Sequence, residues 1–237
     1  MRFVSFRFDD GFIAGARRAV ELLAPDKASF FVLTRPDSLA KTAYSHLAAD
    51  LKFGSREDWI DLSKSGQDVQ PHSATHPNFA EISEEQASSE IAESVNFVAD
   101  IHAGPYIFAF PFNVIPPQLD LSNFRLSAAG FETRNSAAQI QYNDLGGESF
   151  DLFRLKSWAI CERHFHRIIA EIERAPEDSW TILGLHSLDG EGWEPWSSSA
   201  FAALVSHLRR SNFMIATVRD MVQVVGQRRG IALNLVQ

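Results

Sequence analysis

The chain is expected to fold as an α/β protein, a distorted (β/α) barrel of seven to eight strands. Short apolar runs rich in Phe, Val and Ile alternate with helical stretches along the whole length, the pattern of parallel strands joined by helices. The residues able to do chemistry directly follow such runs: Asp9 and Asp10, His72, Phe112 and His186. In a (β/α) barrel the carboxyl ends of the strands converge on one face, so residues distant in sequence would share one mouth. The 237 residues contain no internal repeat, linker or low-complexity tract, and a single domain over 1–237 is expected.

The elements follow in order. Phe3–Phe8 is a β-rich run, and Phe12–Leu23 has helical apolar spacing closed by Pro25. Ala28–Leu33 reads as a buried strand, Arg56–Ser65 as a helix stopped by Gly66, and Asp68–Pro71 leads into two histidines. Ser83–Ala103 is expected as a long helix, opened by the capping box Ser83-Glu84-Glu85-Gln86. Tyr106–Phe110 is a strand closed by Pro111, and a polar helical stretch ends at Gly130. Strands at Phe131–Arg134, Phe153–Ile160, Trp180–Leu185 and Phe213–Thr217 alternate with helices at His164–Arg174, Ser197–Arg210 and Arg219–Gly226.

Composition narrows the function. Apolar residues make up 45% and charged residues 22%, values of an ordinary globular core. The net charge is −8 and no basic stripe stands out, which argues against nucleic acid or an acidic membrane as partner. Cys161 is the single cysteine, so neither an intrachain disulfide nor a cysteine-based metal site is available. No stretch is long and apolar enough for an integral membrane segment, and the N-terminus lacks a leader pattern. A cytoplasmic location is the expectation.

The chemistry lies in two short motifs. Asp9-Asp10-Gly11 places two carboxylates together at a strand end, and His72-Ser73-Ala74-Thr75-His76-Pro77 places two imidazoles four residues apart. Alone, the first could be a turn and the second a polar loop. Together they supply one carboxylate and two imidazoles for a divalent metal with open positions, leaving the other carboxylate to take a proton from water. That is the donor set of metal-assisted hydrolysis.

These residues resemble those of the polysaccharide deacetylases, the NodB-homology group of carbohydrate esterase family four. Phe8-Asp9-Asp10-Gly11 is similar to the family's first motif, and His72 through Pro77 to its second. Phe108-Ala109-Phe110-Pro111-Phe112 resembles the third, and Leu183-Gly184-Leu185-His186 the last. The resemblance implies a single divalent ion, usually zinc, held by Asp10, His72 and His76. It implies Asp9 as general base, His186 as general acid and the backbone N–H of Phe112 as an oxyanion donor. Trp158, Trp193 and Trp196 could stack on sugar rings, or could simply pack. Ser73 and Thr75 are expected to fix the histidine loop rather than attack substrate.

Two departures from the family pattern are visible. Ala109 stands where an arginine is usual, and Ser157 precedes Trp158 where an acid usually orients the catalytic histidine. Arg7, two residues before Asp9 on one strand face, is a candidate substitute charge partner of Asp9, the alternative being that it pairs elsewhere in the barrel or reaches solvent. Asp151 and Asp189 are the candidates to orient His186. The expected activity is metal-dependent removal of an N-acetyl group from an amino sugar or glycan, in surface polysaccharide biosynthesis of the O-antigen kind. Two alternatives remain: a C–N hydrolase of a small amide, formyl or cyclic ureide substrate on the same scaffold, and a non-catalytic carbohydrate-binding relative.

Overall fold

The computed structural model describes residues 1–37, 39, 51–116, 119–121, 124, 126–148 and 150–233. Its centre is β1 (Arg2–Phe8), buried along nearly its whole length. β9 (Ser179–Leu185) runs parallel to all of β1. On the other side β10 (Phe213–Ile215) pairs with Arg2–Val4, and β2 (Ser29–Val32) with Arg7–Phe8. The parallel path continues outward from β2 to β3 (Asp68–Pro71), and from β9 through β8 (Leu155–Ala159) to β6 (Phe131–Asn135). A separate parallel pair joins β4 (Ile107–Phe108) to β5 (Ala128–Ala129).

The ladder is not continuous around the ring, but local bonds bring the edges together. Ala109 N–H donates to Pro71 O at 3.2 Å, Gly130 N–H to Phe108 O at 2.8 Å, and Leu155 N–H to Gly130 O at 3.2 Å. Between β3 and β4 the buried amide of Gln70 substitutes for a missing rung, accepting from Ile107 N–H at 2.8 Å and donating to Pro105 O at 3.1 Å. The strands thus wrap as the distorted barrel that the alternating pattern predicts.

Two apolar layers follow from the period-two alternation of β1. Val4, Phe6 and Phe8 face the outer helices α1 (Ile13–Leu23) and α5 (Ser198–Arg210), with the Phe6 and Phe201 rings 5.0 Å apart. Phe3, Ser5 and Arg7 face the lumen. There Phe3 packs with Phe31, Phe131, Trp180 and Ile182, and α6 (Val218–Arg229) contributes Met221, Val222 and Val225 to the same cluster. Trp180 Nε1–H donates to Ser5 Oγ at 2.9 Å, so that polar pair is satisfied inside the lumen.

The other helices are α2 (Arg56–Lys64), α3 (Glu84–Ala99) and α4 (Phe165–Glu173). The capping box at Ser83 and Gln86 forms as expected. The helix nevertheless stops at Ala99, short of Ala103. Ile101 and His102 N–H both turn back onto Val98 O, and the His102 ring is tied to Val69 O at 2.7 Å and to Gly104 N–H at 3.0 Å. The expected helical stretch before Gly130 lies partly outside the described residues, and its end, Ala128–Ala129, is strand. β7 (Asn143–Asp144), antiparallel to β9, was not expected, because its polar residues show no alternation. Among the described residues no helix is long and apolar enough to cross a membrane.

Candidate active site

Asp9 still belongs to the ladder, its N–H donating to Leu185 O at 3.0 Å. Asp10 (φ 71°) and Gly11 (φ 85°) then adopt left-handed conformations that break the strand. On a straight strand the two carboxylates would point to opposite sides. The break instead leaves Asp10 facing the histidines, while Asp9 stays on the lumen face with Arg7. Only glycine suits position 11, since a Cβ there would also press on the Trp59 ring at 3.2 Å.

His72 follows β3, its Nδ1–H donating to Ala109 O at 2.8 Å, so that in the neutral ring Nε2 is the nitrogen free to ligate. His76 closes the loop at φ 62°, its N–H donating to Ser73 Oγ at 3.0 Å. Glu90 of α3 braces the same loop. Its Oε2 accepts from Ala74 and Thr75 N–H at 2.8 Å each, and its Oε1 from the Thr75 hydroxyl at 2.7 Å. Ser73 and Thr75 are thus committed to holding the loop, as expected, though Thr75 does so through a helix residue.

The ligand atoms of Asp10, His72 and His76 lie within 4.8 Å of one another. Asp10 Oδ1 is 3.4 Å from His72 Nε2 and 3.3 Å from His76 Nε2. Tetrahedral zinc with bonds of about 2.0–2.1 Å separates neighbouring ligand atoms by about 3.3 Å. Charge-assisted hydrogen bonds are shorter, about 2.7–2.9 Å. The spacing therefore fits three donors around a shared ion better than a carboxylate bonded to two imidazoles.

Arg7 is buried in the lumen, where an unpaired charge would cost several kcal/mol. Its Nε donates to Asp9 Oδ1 at 2.8 Å and Oδ2 at 3.1 Å, and its Nη2 to Oδ2 and to Asn113 Oδ1, the latter at 3.2 Å. The guanidinium also lies 4.2 Å from the centre of the Phe131 ring. Burial pushes the Asp9 carboxyl up. The Arg7 charge and its hydrogen bonds, aided by His72 and His186, outweigh burial and hold Asp9 below the usual carboxylate range. For Asp10, burial is likewise outweighed, chiefly by His72 and His76, and the carboxyl sits well below that range.

His186 follows β9 and lines the same cleft as Arg7, Asp9, Asp10, His72, His76 and Phe112, a space of about 880 Å³. Among the described residues its ring has no hydrogen-bond partner. Asp151 and Asp189 do not orient it: Asp151 Oδ1 accepts from Phe153 N–H at 2.8 Å, and Asp189 Oδ1 from Ser198 N–H at 2.8 Å. Phe112 (φ 56°) forms part of the cleft wall, its exposed ring edge-on to His76 at 4.8 Å.

The three tryptophans separate. Trp193 is 50% exposed and lines the cleft. Trp158 and Trp196 are fully buried and are not substrate-facing. Their indole N–H groups donate to Asn135 O and Ile160 O, both at 3.1 Å, and their rings fill the outer core. Alternation explains the correction for Trp158, whose strand turns it away from the lumen. Trp196 lies at an isolated bridge to Leu188 that folds it inward.

A sequence model described as polysaccharide deacetylase matches residues 1–123, more than half of the chain. The chain belongs to the polysaccharide deacetylase family. It is thus placed among metal-dependent hydrolytic deacetylases, and its fold agrees. The peptidoglycan deacetylase PdaC from Bacillus subtilis is 19% identical, with 96% of this chain and 93% of that one covered at a TM-score of 0.58. A family 4 acetyl xylan esterase from Clostridium thermocellum, solved with a cobalt ion, is 17% identical, with 98% and 93% covered at 0.60. The Xyl-CE4 domain of a xylanase from the hindgut metagenome of Trinervitermes trinervoides is 14% identical, with 99% and 94% covered at 0.61. No curated protein matches the chain.

Sequence reading missed Glu90, Asn113 and Glu81. Asn113 joins Arg7 to Thr133, whose hydroxyl donates to Asn113 Oδ1 at 2.6 Å. Glu81 lines the cleft rim. None carries a local signal, since each acts through a contact with a distant segment or through its position on a wall.

Proposed function

We propose that the chain is an N-deacetylase of an N-acetylated amino sugar or glycan, with Asp10, His72 and His76 holding one zinc ion. The observation that carries this is the convergence of three ligand atoms at metal spacing beside a carboxylate clamped by arginine. When bound, the ion would polarise the acetamide carbonyl and make the attacking water more acidic. Asp9 is the base that accepts the proton of that water. Arg7 keeps Asp9 ionised in its buried setting, in the role left vacant at Ala109. The backbone N–H of Phe112 donates to the oxyanion as the carbonyl becomes tetrahedral. His186 returns a proton to the departing amine, so that it leaves as a neutral group. Trp193 offers an exposed indole face at the mouth for a pyranose ring.

We assign the reaction to the making of a surface polysaccharide such as O-antigen, on the strength of the family resemblance. The test is acetate release from N-acetylglucosamine oligomers by zinc-loaded protein, with metal quantified in wild type and His72→Ala. Metal near one per chain, lost in the variant, with acetate released, supports the reading. Metal bound with acetate released only from small amides would move the assignment to a small-molecule C–N hydrolase. Glycan bound without turnover would make the protein a carbohydrate-binding relative.

A further inference from the structure

Among the described residues lining the cleft, one exposed charged side chain forms no ion pair. Arg7 and Asp9 answer each other, and Asp10 faces His72 and His76. Glu81 is exposed, lines the cleft with Asn78, Phe112 and Trp193, and forms no ion pair among the described residues. Its carboxylate is held in place. Asn78 Nδ2 donates to Glu81 Oε1 at 2.7 Å, and Asn78 Oδ1 is itself fixed by Ala80 N–H at 3.1 Å. Among the described lining residues Arg7 is the one Arg or Lys, and it is buried against Asp9. Among the described lining residues the mouth therefore presents a held negative charge and no accessible lysine or arginine, together with two exposed aromatic rings, Phe112 and Trp193.

From this geometry we infer that Glu81 forms a subsite for the ammonium group of an already deacetylated sugar, next to the acetamide being hydrolysed. The inference rests on the glycan-deacetylase reading and deepens it, because the class of substrate becomes a partly deacetylated, cationic glycan. Deacetylation turns a neutral amide into an amine that is protonated at neutral pH. A carboxylate at the rim attracts that product group on a neighbouring ring. The same charge repels glycans bearing uronate, phosphate or sulfate. Phe112 and Trp193 accept the sugar faces without regard to charge.

The test uses zinc-loaded protein and two probes, a glucosamine trimer and an N-acetylglucosamine trimer, with calorimetry at pH 6 in low and high salt. Wild type is expected to bind the glucosamine trimer more tightly, and to lose that preference in high salt. Glu81→Gln is expected to weaken glucosamine binding about fivefold, the scale of one partly exposed ion pair, and to bring the ratio between the probes near one. Equal affinities in wild type, no binding of either trimer, or a ratio unchanged in Glu81→Gln would overturn the inference. Acetate release, followed separately, tells the two readings apart. Release without any Glu81-dependent preference keeps the deacetylase and removes the subsite. A Glu81-dependent preference without release removes the deacetylase and keeps an ammonium-binding site.

Discussion

Arg7 grips the carboxylate of Asp9 from two residues away on the same strand face, Nε donating to Oδ1 at 2.8 Å while Nη2 reaches Oδ2. Both side chains are nearly sealed from water. A carboxylate in that setting would take up a proton were it not for the guanidinium. The charge partner of Asp9 therefore comes from its own strand.

Removing this charge should alter the pH profile before anything else. Arg7→Met leaves burial to dominate and raises the Asp9 pKa, so the acid limb of kcat/KM moves to higher pH. Activity at pH 6 should fall about tenfold or more, the usual effect of losing a group that tunes a catalytic residue. Stability follows the same sign. Asp9 is depressed in the fold, so its contribution is full above the unfolded pKa and is lost as pH falls through the folded one. A pH–rate profile that does not move in Arg7→Met would remove Arg7 from the mechanism.

Glu90 is expected to govern metal affinity from outside the ligand set. Its carboxylate takes three hydrogen bonds from the loop between the two histidines. Glu90→Ala frees that loop, and zinc affinity should weaken about tenfold to a hundredfold. Competition with a chelator measures it, and wild-type affinity in the variant would show that the loop holds itself.

Trp193 and Trp196, three residues apart, should fail in different ways. Trp196→Ala empties a fully buried site and should lower stability by about 3–5 kcal/mol, seen in denaturant unfolding. Trp193→Ala, at an exposed position on the cleft, should leave unfolding nearly unchanged and raise KM for glycan. Equal unfolding midpoints for the two variants would contradict the placement of these rings.

Cys161 should be slow to react. Burial, with the nearby Glu194 carboxylate, pushes its thiol up to about 11. The thiolate fraction at pH 8 is then about a hundredfold below that of a thiol at its ordinary pKa. Alkylation followed by mass spectrometry checks this, and labelling as fast as free cysteine would contradict it.

Much of the site was legible locally. Asp9, Asp10 and His72 stand at strand ends in short motifs, the second of which also carries His76, and period-two spacing put Arg7 on the face of Asp9. Glu90 and Asn113 were not legible, because each matters through a segment distant in the chain, and Glu81 was not, because only the folded cleft gives its position meaning. The burial of Trp158 and Trp196 was equally hidden, since an indole after an apolar run can point to core or cleft.

The alternation of strands and helices, the capping box at Ser83, the candidate donor residues and the placing of Arg7 and Asp9 on one strand face could all be read from the chain alone. These depend on neighbours within a few positions, where backbone periodicity and side-chain chemistry leave few choices. It took the folded chain to show that Arg7 pairs with Asp9, that Asp10 swings to the histidines, that Gln70 bridges the seam between β3 and β4, and that Trp193 alone of three candidate tryptophans lines the cleft. Each of those depends on where distant strands meet and which groups burial forces to find partners, and no short stretch of sequence encodes that.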